Sequence, residues 1–300
     1  MKFNYLLVFL FISELVFGQS VKKKIEIAND YFNSGNYSVA ESYYYNIASN
    51  NKSHSLYPTS LNKLGQIYLL KNDTAKAIET FKGILELDEN KYRNFSQKLF
   101  SLGITPLSNL LLKTEKDSRL FYFPIKVSKN ESCISLANIF MNKRNFRLAL
   151  HYIGLSDSVF PYQHFCGNAF SSNEMYLAEK YAICYSNLRL IDSSLFYLAP
   201  YIFDNWLTSN SSIVDEMMSI LTNNYEKEEY IRFFTDAENT IFIEKSLSIK
   251  NPYYNSYIIL FNRTIQINRG YLEEKTEIEI LNEVIEFYRN TVIFKKITSS

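Results

Sequence analysis

The chain has 300 residues, of which 47% are hydrophobic, and its formal net charge is +1. This length and hydrophobic content are ample for a buried core, while the near-zero charge argues against a protein that binds nucleic acid or another polyanion. Glycine and proline are scarce, at 8 and 6 residues, which favours a helical protein over a β protein with many turns.

Residues 1–18 have the pattern of a secretory signal peptide. The basic residue Lys2 precedes an apolar stretch from Tyr5 to Ile12, and Val16-Phe17-Gly18 closes the segment. The ending Phe-Gly followed by Gln19 resembles export leaders of some Gram-negative bacteria, so we expect a periplasmic or secreted protein. The alternative is an N-terminal membrane anchor, although the apolar stretch is shorter than the ~20 residues that a spanning helix needs. No later stretch is long enough to span a bilayer.

The strongest pattern lies between Leu61 and Leu87 and predicts two helices joined by a short turn. Apolar and small residues of the first helix, about 58–70, recur at i, i+3, i+4 and i+7. These residues are Leu61, Leu64, Gly65 and Tyr68. The second helix, about 74–87, carries Ala77 and Phe81 on one face, and Asp73 is a suitable N-cap for it. A glycine inside a helix costs about 1 kcal/mol relative to alanine, so Gly65 indicates close helix packing.

The same pattern recurs elsewhere in the chain. The first copy contains Ile27, Ala28, Tyr31, Ala40 and Tyr44; the third contains Leu136, Ala137, Phe140, Ala149 and Ile153; the fourth, weaker copy contains Tyr181, Ala182, Tyr185, Ser194 and Leu198. Leu221, Tyr230 and Phe234 could mark a fifth copy. The distance from Ala77 to Ala149 leaves room for one degenerate unit between the second and third copies.

These residues resemble the tetratricopeptide repeat family over roughly residues 21 to 245, with clear copies near 21–54, 58–91, 130–156 and 175–204. The copies lack the family's Trp at the first large position and its Pro after the second helix. The resemblance implies an all-α, right-handed superhelical solenoid of helix–turn–helix repeats over residues 19–250. It also implies a scaffold without a cofactor, rather than an enzyme, that holds a protein or peptide partner in a concave groove.

In this family the first helices of the repeats line the groove. The resemblance therefore places these groove positions at Asn29, Phe32, Asn62, Gln66, Leu69, Asn138 and Met141, with Ile183 and Ser186 in the fourth copy. Amide side chains both donate and accept hydrogen bonds, which suits a peptide backbone. The alternative is that they are ordinary exposed polar residues of an Asn-rich protein.

Two segments interrupt the repeats. Residues 91–128 imitate the start of a repeat, but Pro106 would break its first helix, so the segment is either the degenerate unit or an insertion. Residues 156–172 predict a long aromatic loop that packs on the solenoid. This loop contains His164 and Cys166, the only pair of residues in the sequence that suggests a nucleophile and its base.

The three cysteines are Cys133, Cys166 and Cys184. Cys133 occupies a position meant for a large buried residue, which predicts an unreactive core thiol. Cys166 and Cys184 could form a disulfide in an exported protein. With only 3 histidines, no histidine-rich metal site is expected, and the sequence has no phosphate-binding loop or nucleophile elbow.

After residue 250 the repeat pattern is lost, and we expect residues 251–300 to form a C-terminal helical cap. Tyr254, Tyr257, Ile258 and Phe261 are spaced as in a helix, while residues 264–268 alternate as in a strand. Three hypotheses follow for the whole chain. It is an exported scaffold for a protein partner, an envelope enzyme that uses His164 and Cys166, or a structural spacer without a specific ligand.

Overall fold

A computed structural model describes residues 21–92, 124–162, 167–203, 211–245, 253–271 and 275–299. The chain divides into two compact units, and the boundary falls between Gly167 and Asn168. The first unit is helical, whereas the second combines helices with a small sheet. The predicted leader, residues 1–18, lies outside the described residues, and the domain boundaries expected after residues 18 and 250 stay predictions.

The first unit consists of paired helices. Helix α1 covers residues 21–33, and the following elements are α2 (Tyr37–Asn50), α3 (Tyr57–Leu70), α4 (Thr74–Leu85), a 3-10 turn (Glu89–Tyr92), α5 (Pro124–Asn142), α6 (Phe146–Gly154) and a π-helix (Leu155–Val159). Asp73 caps α4 as predicted, because its side chain accepts a hydrogen bond from the backbone N–H of Lys76 at 3.1 Å. No helix of the described residues has the length and apolar character needed to cross a membrane.

The second unit begins with α7 (Gly167–Asn187) and α8 (Ile191–Leu198), followed by a 3-10 turn (Ala199–Tyr201). A further helix pair, α9 (Ser211–Asn224) and α10 (Lys227–Glu238), precedes three strands, β1 (Phe242–Lys245), β2 (Tyr253–Leu260) and β3 (Arg263–Tyr271). Two last helices, α11 (Glu277–Arg289) and α12 (Val292–Ser299), end the described chain.

The first helix of each of the first four predicted copies ends in the same turn. One residue of the turn has a positive φ, and the next residue donates its backbone N–H to the carbonyl five positions earlier, as at many helix C-termini. The residues with positive φ are Gly35, Asn72, Arg144 and Arg189. The accepting carbonyls belong to Tyr31, Tyr68, Phe140 and Tyr185, at 2.8 to 2.9 Å. These four acceptors are the residues that the sequence pattern aligns with one another, so four helix pairs share one local structure.

Burial follows the same pattern in these pairs. The small positions of the first and second helices and the large position of the second helix are all buried. They are Ala28, Gly65, Ala137 and Ala182; Ala40, Ala77, Ala149 and Ser194; and Tyr44, Phe81, Ile153 and Leu198. The serine at the small position of the fourth copy donates its hydroxyl to the carbonyl of Ala182 at 2.8 Å, which satisfies this buried polar group.

Helix α5 packs directly against both α3 and α4. The third copy therefore follows the second in the stack, and no degenerate unit separates them. The alternative of a degenerate unit stacked between these two copies is therefore wrong, and the alternative of an insertion remains. Residues 93–123, which contain most of the doubtful segment, lie outside the described residues.

The segment predicted as a long aromatic loop is partly helical. The π-helix Leu155–Val159 directly continues α6, and α7 already begins at Gly167. The buried amide of Asn130 donates to the carbonyl oxygens of Ser156 at 3.0 Å and Phe160 at 2.7 Å, and the Lys129 ammonium lies 4.9 Å from the centre of the Phe160 ring. The expectation that this segment packs on the preceding helices is confirmed for residues 156–160, whereas the expected loop is wrong for 156–159 and 167–172.

The three strands form an antiparallel sheet with the order β1-β2-β3. The expectation of an all-α chain with a purely helical cap is therefore wrong for residues 242–245 and 253–271. The turn between β2 and β3 has positive φ values at Phe261 and Asn262, as tight hairpin turns require. Two residues before the start of β1, the Thr240 hydroxyl accepts the backbone N–H of Ile259 at 2.8 Å and donates to the carbonyl of Ala237 at 2.6 Å. This hydroxyl thereby ties the free edge of β2 to the end of α10.

Helix α11 closes the core of the second unit. A capping box at Thr276 and Glu279 starts the helix, and the buried Tyr288 donates its hydroxyl to the carbonyl of Phe234 at 3.0 Å. Ile280 and Val284 join the core, but Ile278 is exposed. The C-terminal segment thus covers α10 with both a sheet and helices, which explains how the apolar faces of the last helix pair are buried.

Candidate functional site

The first helices of the pairs in unit 1 present one continuous surface. We call it the α1–α3–α5 face and define it by Phe32 on α1, Lys63 and Gln66 on α3, and Glu131 on α5. The Lys63 ammonium lies 4.7 Å from the centre of the Phe32 ring and donates to the Gln66 side-chain oxygen at 3.1 Å. A cation, an aromatic ring and an amide are therefore held together across two helices.

Asn62 joins α3 to α5 beneath this face. It is only 1% exposed, and its amide nitrogen donates to the Ser132 hydroxyl at 3.3 Å and lies 3.4 Å from the Ser128 carbonyl oxygen. Its side-chain oxygen accepts from the Gln66 amide at 2.8 Å. Gln66 is consequently oriented by two neighbours, Asn62 and Lys63, so the amide at the centre of the face has a defined direction.

Glu131 adds an electrostatic feature to the same face. Burial raises the pKa of the Glu131 carboxyl, while the positive charge of Lys63 acts in the opposite direction. The side chain nevertheless remains in contact with solvent. Glu131 is an exposed residue, so a ligand that carries a positive charge has access to its carboxyl.

The structure places most predicted groove residues at the surface, with one exception. Six of the seven are partly exposed: Asn29, Phe32, Gln66, Leu69, Asn138 and Met141. The structure corrects the prediction that Asn62 lines the groove. Its amide is buried between α3 and α5, so it is not exposed to a partner. Asn29 is already used within the first pair, since its side-chain oxygen accepts from the Tyr44 hydroxyl at 2.6 Å. The binding role of the partly exposed residues stays a prediction.

The sequence analysis did not predict Lys63 and Glu131 as residues of this face. Both are charged residues on helices with many charges, and the family pattern gives them no position in the groove. The one available signal in the sequence was the helical spacing between Lys63 and the predicted groove residue Gln66. Lys63 lies three residues before Gln66, and this spacing places the two side chains on one face of a helix.

In unit 2, Ser186 of the fourth copy lines a polar groove between α7 and α9, with a volume of about 460 Å³. Its other lining residues include Arg189, Glu216, Ser219 and Asn223. Burial raises the pKa of Glu216, and the negative charge of Glu179 adds to the shift. Ile183, the other predicted position, is partly buried on α7.

A second surface of unit 1 is a cleft of about 760 Å³ between α2, α3 and α4. Tyr45, Tyr57 and Tyr68 contribute to its walls, together with Gly83. A Cβ atom added to Gly83 would meet no other atom within 4 Å. This glycine therefore has no packing partner, in contrast to Gly65.

The described cysteines are core residues. Burial raises the pKa of the Cys133 thiol to about 12, with Lys129 acting weakly in the opposite direction, and burial raises that of Cys184 to about 11. Both side chains are fully buried, so the prediction of a core thiol at Cys133 is confirmed. His164 and Cys166 lie outside the described residues, and with them the predicted Cys166–Cys184 disulfide. In the described ranges, no three His, Cys, Asp or Glu side chains come together as a metal site would require.

Residues 58–91 match the tetratricopeptide repeat family. The match covers α3 from its second residue, all of α4 and most of the 3-10 turn that follows. This is the segment with the strongest pattern in the sequence. The chain therefore contains a tetratricopeptide repeat, and the other helix pairs are similar to it in their turn and in their buried positions. No curated protein matches the sequence significantly.

Proposed function

We propose that the protein is an exported scaffold that binds an extended segment of a protein partner along the α1–α3–α5 face. The observation that carries this proposal is that α3, the first helix of the matched repeat, supplies the central residues of the face. Lys63 reaches from this helix to the Phe32 ring on α1. Gln66 bonds to Asn62 on the same helix, and the Asn62 amide donates in turn to Ser132 on α5. A repeat of this family suggests protein interaction, and the face supplies suitable chemistry.

The chemistry of the face fits a peptide backbone with mixed side chains. The Gln66 amide has both a donor and an acceptor group, and its orientation is set before a partner arrives, which lowers the entropic cost of binding. Phe32, Leu69 and Met141 offer apolar contact beside it. Lys63 and Glu131 have opposite charges on neighbouring helices, so a partner segment with an acidic residue near Lys63 and a basic residue near Glu131 would be favoured.

Export is the second part of the proposal and rests on residues 1–18. Cleavage after Gly18 would give a mature chain that begins at Gln19, outside the reducing cytosol. Mass spectrometry of the protein from its native envelope fraction gives the mass of the N-terminal peptide. An intact N-terminus that starts at Met1 would contradict this part alone.

The binding experiment is a cross-linking pull-down of the tagged protein from the same fraction. The test variant carries Phe32→Ala and Lys63→Glu, which remove the ring and reverse the charge at the centre of the face. The matched control is Lys52→Glu, the same charge reversal at an exposed residue of the cleft between α2, α3 and α4. We expect a partner that both the wild type and the control retain and the test variant loses.

A partner that the test variant retains would contradict the proposed face. If wild type and variants retain no partner, the spacer hypothesis gains support. The enzyme hypothesis is tested separately by thiol labelling, because a catalytic Cys166 would react in the native protein whereas the buried thiols would not.

A further inference from the structure

The sheet of unit 2 has one face in the core and one face in solvent. On β2, Tyr254, Ser256, Ile258 and Leu260 are buried, while the residues between them are not. We call the solvent side the outer sheet face and define it by Phe242, Asn255, Tyr257, Gln266, Arg269 and Tyr271. These residues are paired across the strands, with Phe242 and Gln266 beside Tyr257, and Arg269 beside Asn255. Side chains of directly paired residues point to the same side of a sheet.

An irregularity in β3 creates this arrangement. The pairing shifts between Ser256 and Tyr257, so Ile267 is an extra residue on β3. Without this extra residue, side chains would alternate regularly along β3. Gln266 would then face solvent while Arg269 and Tyr271 faced the core. The bulge therefore brings an arginine and a second tyrosine to the solvent side, and Tyr271 remains 69% exposed there.

The side chains of the outer sheet face are joined by contacts across the strands. The rings of Phe242 and Tyr257 stack with centroids 5.3 Å apart, and the Gln266 amide donates to the Asn255 side-chain oxygen at 3.3 Å. The Arg269 guanidinium lies 4.3 Å from the centre of the Tyr253 ring. Aromatic surface and hydrogen-bonding groups thus alternate on a surface that is fixed by the sheet.

Size and charge limit what this face could bind. With strands about 4.8 Å apart and a rise of about 3.4 Å per residue, three strands of at most 9 residues cover an area of roughly 400 Å². A stable protein–protein interface needs about 800 Å² from each partner, so a folded protein or a second copy of the chain is too large a partner for this face alone. Glu244 and Arg269 flank Asn255 in one row of paired residues, so their charges compensate and favour an uncharged ligand over a nucleic acid.

We propose that the outer sheet face binds a neutral oligosaccharide. The hydroxyl groups of a sugar both donate and accept hydrogen bonds. They therefore match the amides of Asn255 and Gln266 and the charged groups of Glu244 and Arg269. The apolar C–H side of a sugar ring packs on exposed aromatic surface, which Tyr271 and Phe242 supply. This proposal does not rest on the function proposed for the α1–α3–α5 face.

The test is native affinity electrophoresis of the purified protein through gels that contain soluble neutral polysaccharides, namely β-glucan, xylan, mannan, galactan and starch. We expect at least one polysaccharide to slow the wild type. Tyr271→Ala should weaken this binding about fivefold to tenfold, and Tyr271→Phe should keep most of it because the ring remains. The control is Tyr45→Ala, which removes another highly exposed tyrosine, at 62%, from α2.

Three results would overturn the proposal. The first is migration of the wild type that none of the five polysaccharides alters. The second is equal retardation of the wild type and Tyr271→Ala. Analytical ultracentrifugation of both proteins adds an independent check, because a dimer that Tyr271→Ala dissolves would assign the face to a second copy of the chain instead.

Discussion

The ring of Phe81 on α4 lies directly against the backbone of Gly65 on α3. A Cβ atom at position 65 would approach the Phe81 ring carbon Cε1 to 2.6 Å, a distance at which atoms overlap. Phe81 is itself fully buried. The glycine therefore serves the packing of one aromatic ring in the matched repeat, and this contact confirms the packing role predicted for it.

Gly65→Ala should destabilise the protein although alanine is the better helix former. The added methyl group would displace the Phe81 ring, and overpacking of this kind costs about 1–3 kcal/mol. Gly83→Ala is the matched control on the neighbouring helix, where nothing lies within 4 Å of the new Cβ. It should stabilise by about 0.5–1 kcal/mol. Urea unfolding measures both changes, and equal effects of the two substitutions would contradict this account.

Phe81→Ala should lower the free energy of unfolding by about 3–5 kcal/mol, as for other buried aromatic residues. In the double variant, Gly65→Ala should cost less than in the wild type, because the ring that it displaces is absent. A double-mutant cycle by urea unfolding gives this coupling. Additive effects, or a loss below ~1 kcal/mol for Phe81→Ala, would mean that the ring does not fill the space between the helices.

Asn62→Ala should cost about 1–3 kcal/mol, since it removes a buried amide that links α3 to α5 and leaves buried partners without it. The control is Asn142→Ala at the exposed end of α5, which should change stability by less than ~0.5 kcal/mol. Hydrogen exchange should show faster opening of α5 in the Asn62 variant than in the control. Unchanged protection of α5 would argue against direct contact of α3 and α5 in solution.

The repeat could be predicted from sequence because short-range patterns determine it. Gly35 and Asn72 are residue types that adopt a positive φ readily, so the turns of the first two copies carry a local sequence signal. Arg144 and Arg189 adopt the same conformation without such a signal, and their turns were found only through the aligned residues around them. The stacking of α5 on α3 depends on contacts between Asn62 and Ser132, 70 positions apart, which no local pattern contains.

The sheet could not be predicted because its sequence supports two periods. Tyr254, Ile258 and Phe261 match helical spacing, yet Tyr254 and Ile258 also fit the alternation of a strand. The hairpin turn has Phe261 at a position with a positive φ, where glycine or asparagine is usual, and the bulge at Ile267 interrupts the alternation on β3. Cross-strand contacts decide this region: Gly270 is paired with Tyr254, whose ring covers the glycine backbone.

Stability should fall as the pH rises above about 9. The thiols of Cys133 and Cys184 have an ordinary pKa of 9.0 that burial raises to about 12 and about 11 in the folded protein. Between pH 9 and 11 the unfolded chain loses these protons and the folded chain keeps them, so unfolding is favoured by up to about 1.4 kcal/mol per pH unit for each thiol. Below about pH 8 the two thiols contribute almost no slope, because they are protonated in both states.

Urea unfolding at pH 8, 9, 10 and 11 measures this dependence. The double variant Cys133→Ala and Cys184→Ala should start from a lower stability, because it leaves cavities, but should lose less stability between pH 9 and 11 than the wild type. Parallel curves for the two proteins would show that other groups cause the alkaline loss, among them Tyr44, whose pKa burial raises to about 12.

The bond from the Thr240 hydroxyl to the backbone of Ile259 has a consequence for the protein in a concentrated solution. A strand that extends past its neighbour exposes unpaired backbone groups, and such groups can recruit strands from other molecules into fibrils. The Thr240 hydroxyl accepts the hydrogen bond of the Ile259 N–H on β2, at a position where β1 has not yet begun. Thr240→Val keeps the shape of the side chain and frees this N–H, so its main effect should be faster fibril growth in a thioflavin assay, with little change in unfolding. The tendency of the chain to aggregate would then depend on a side chain that belongs to neither strand.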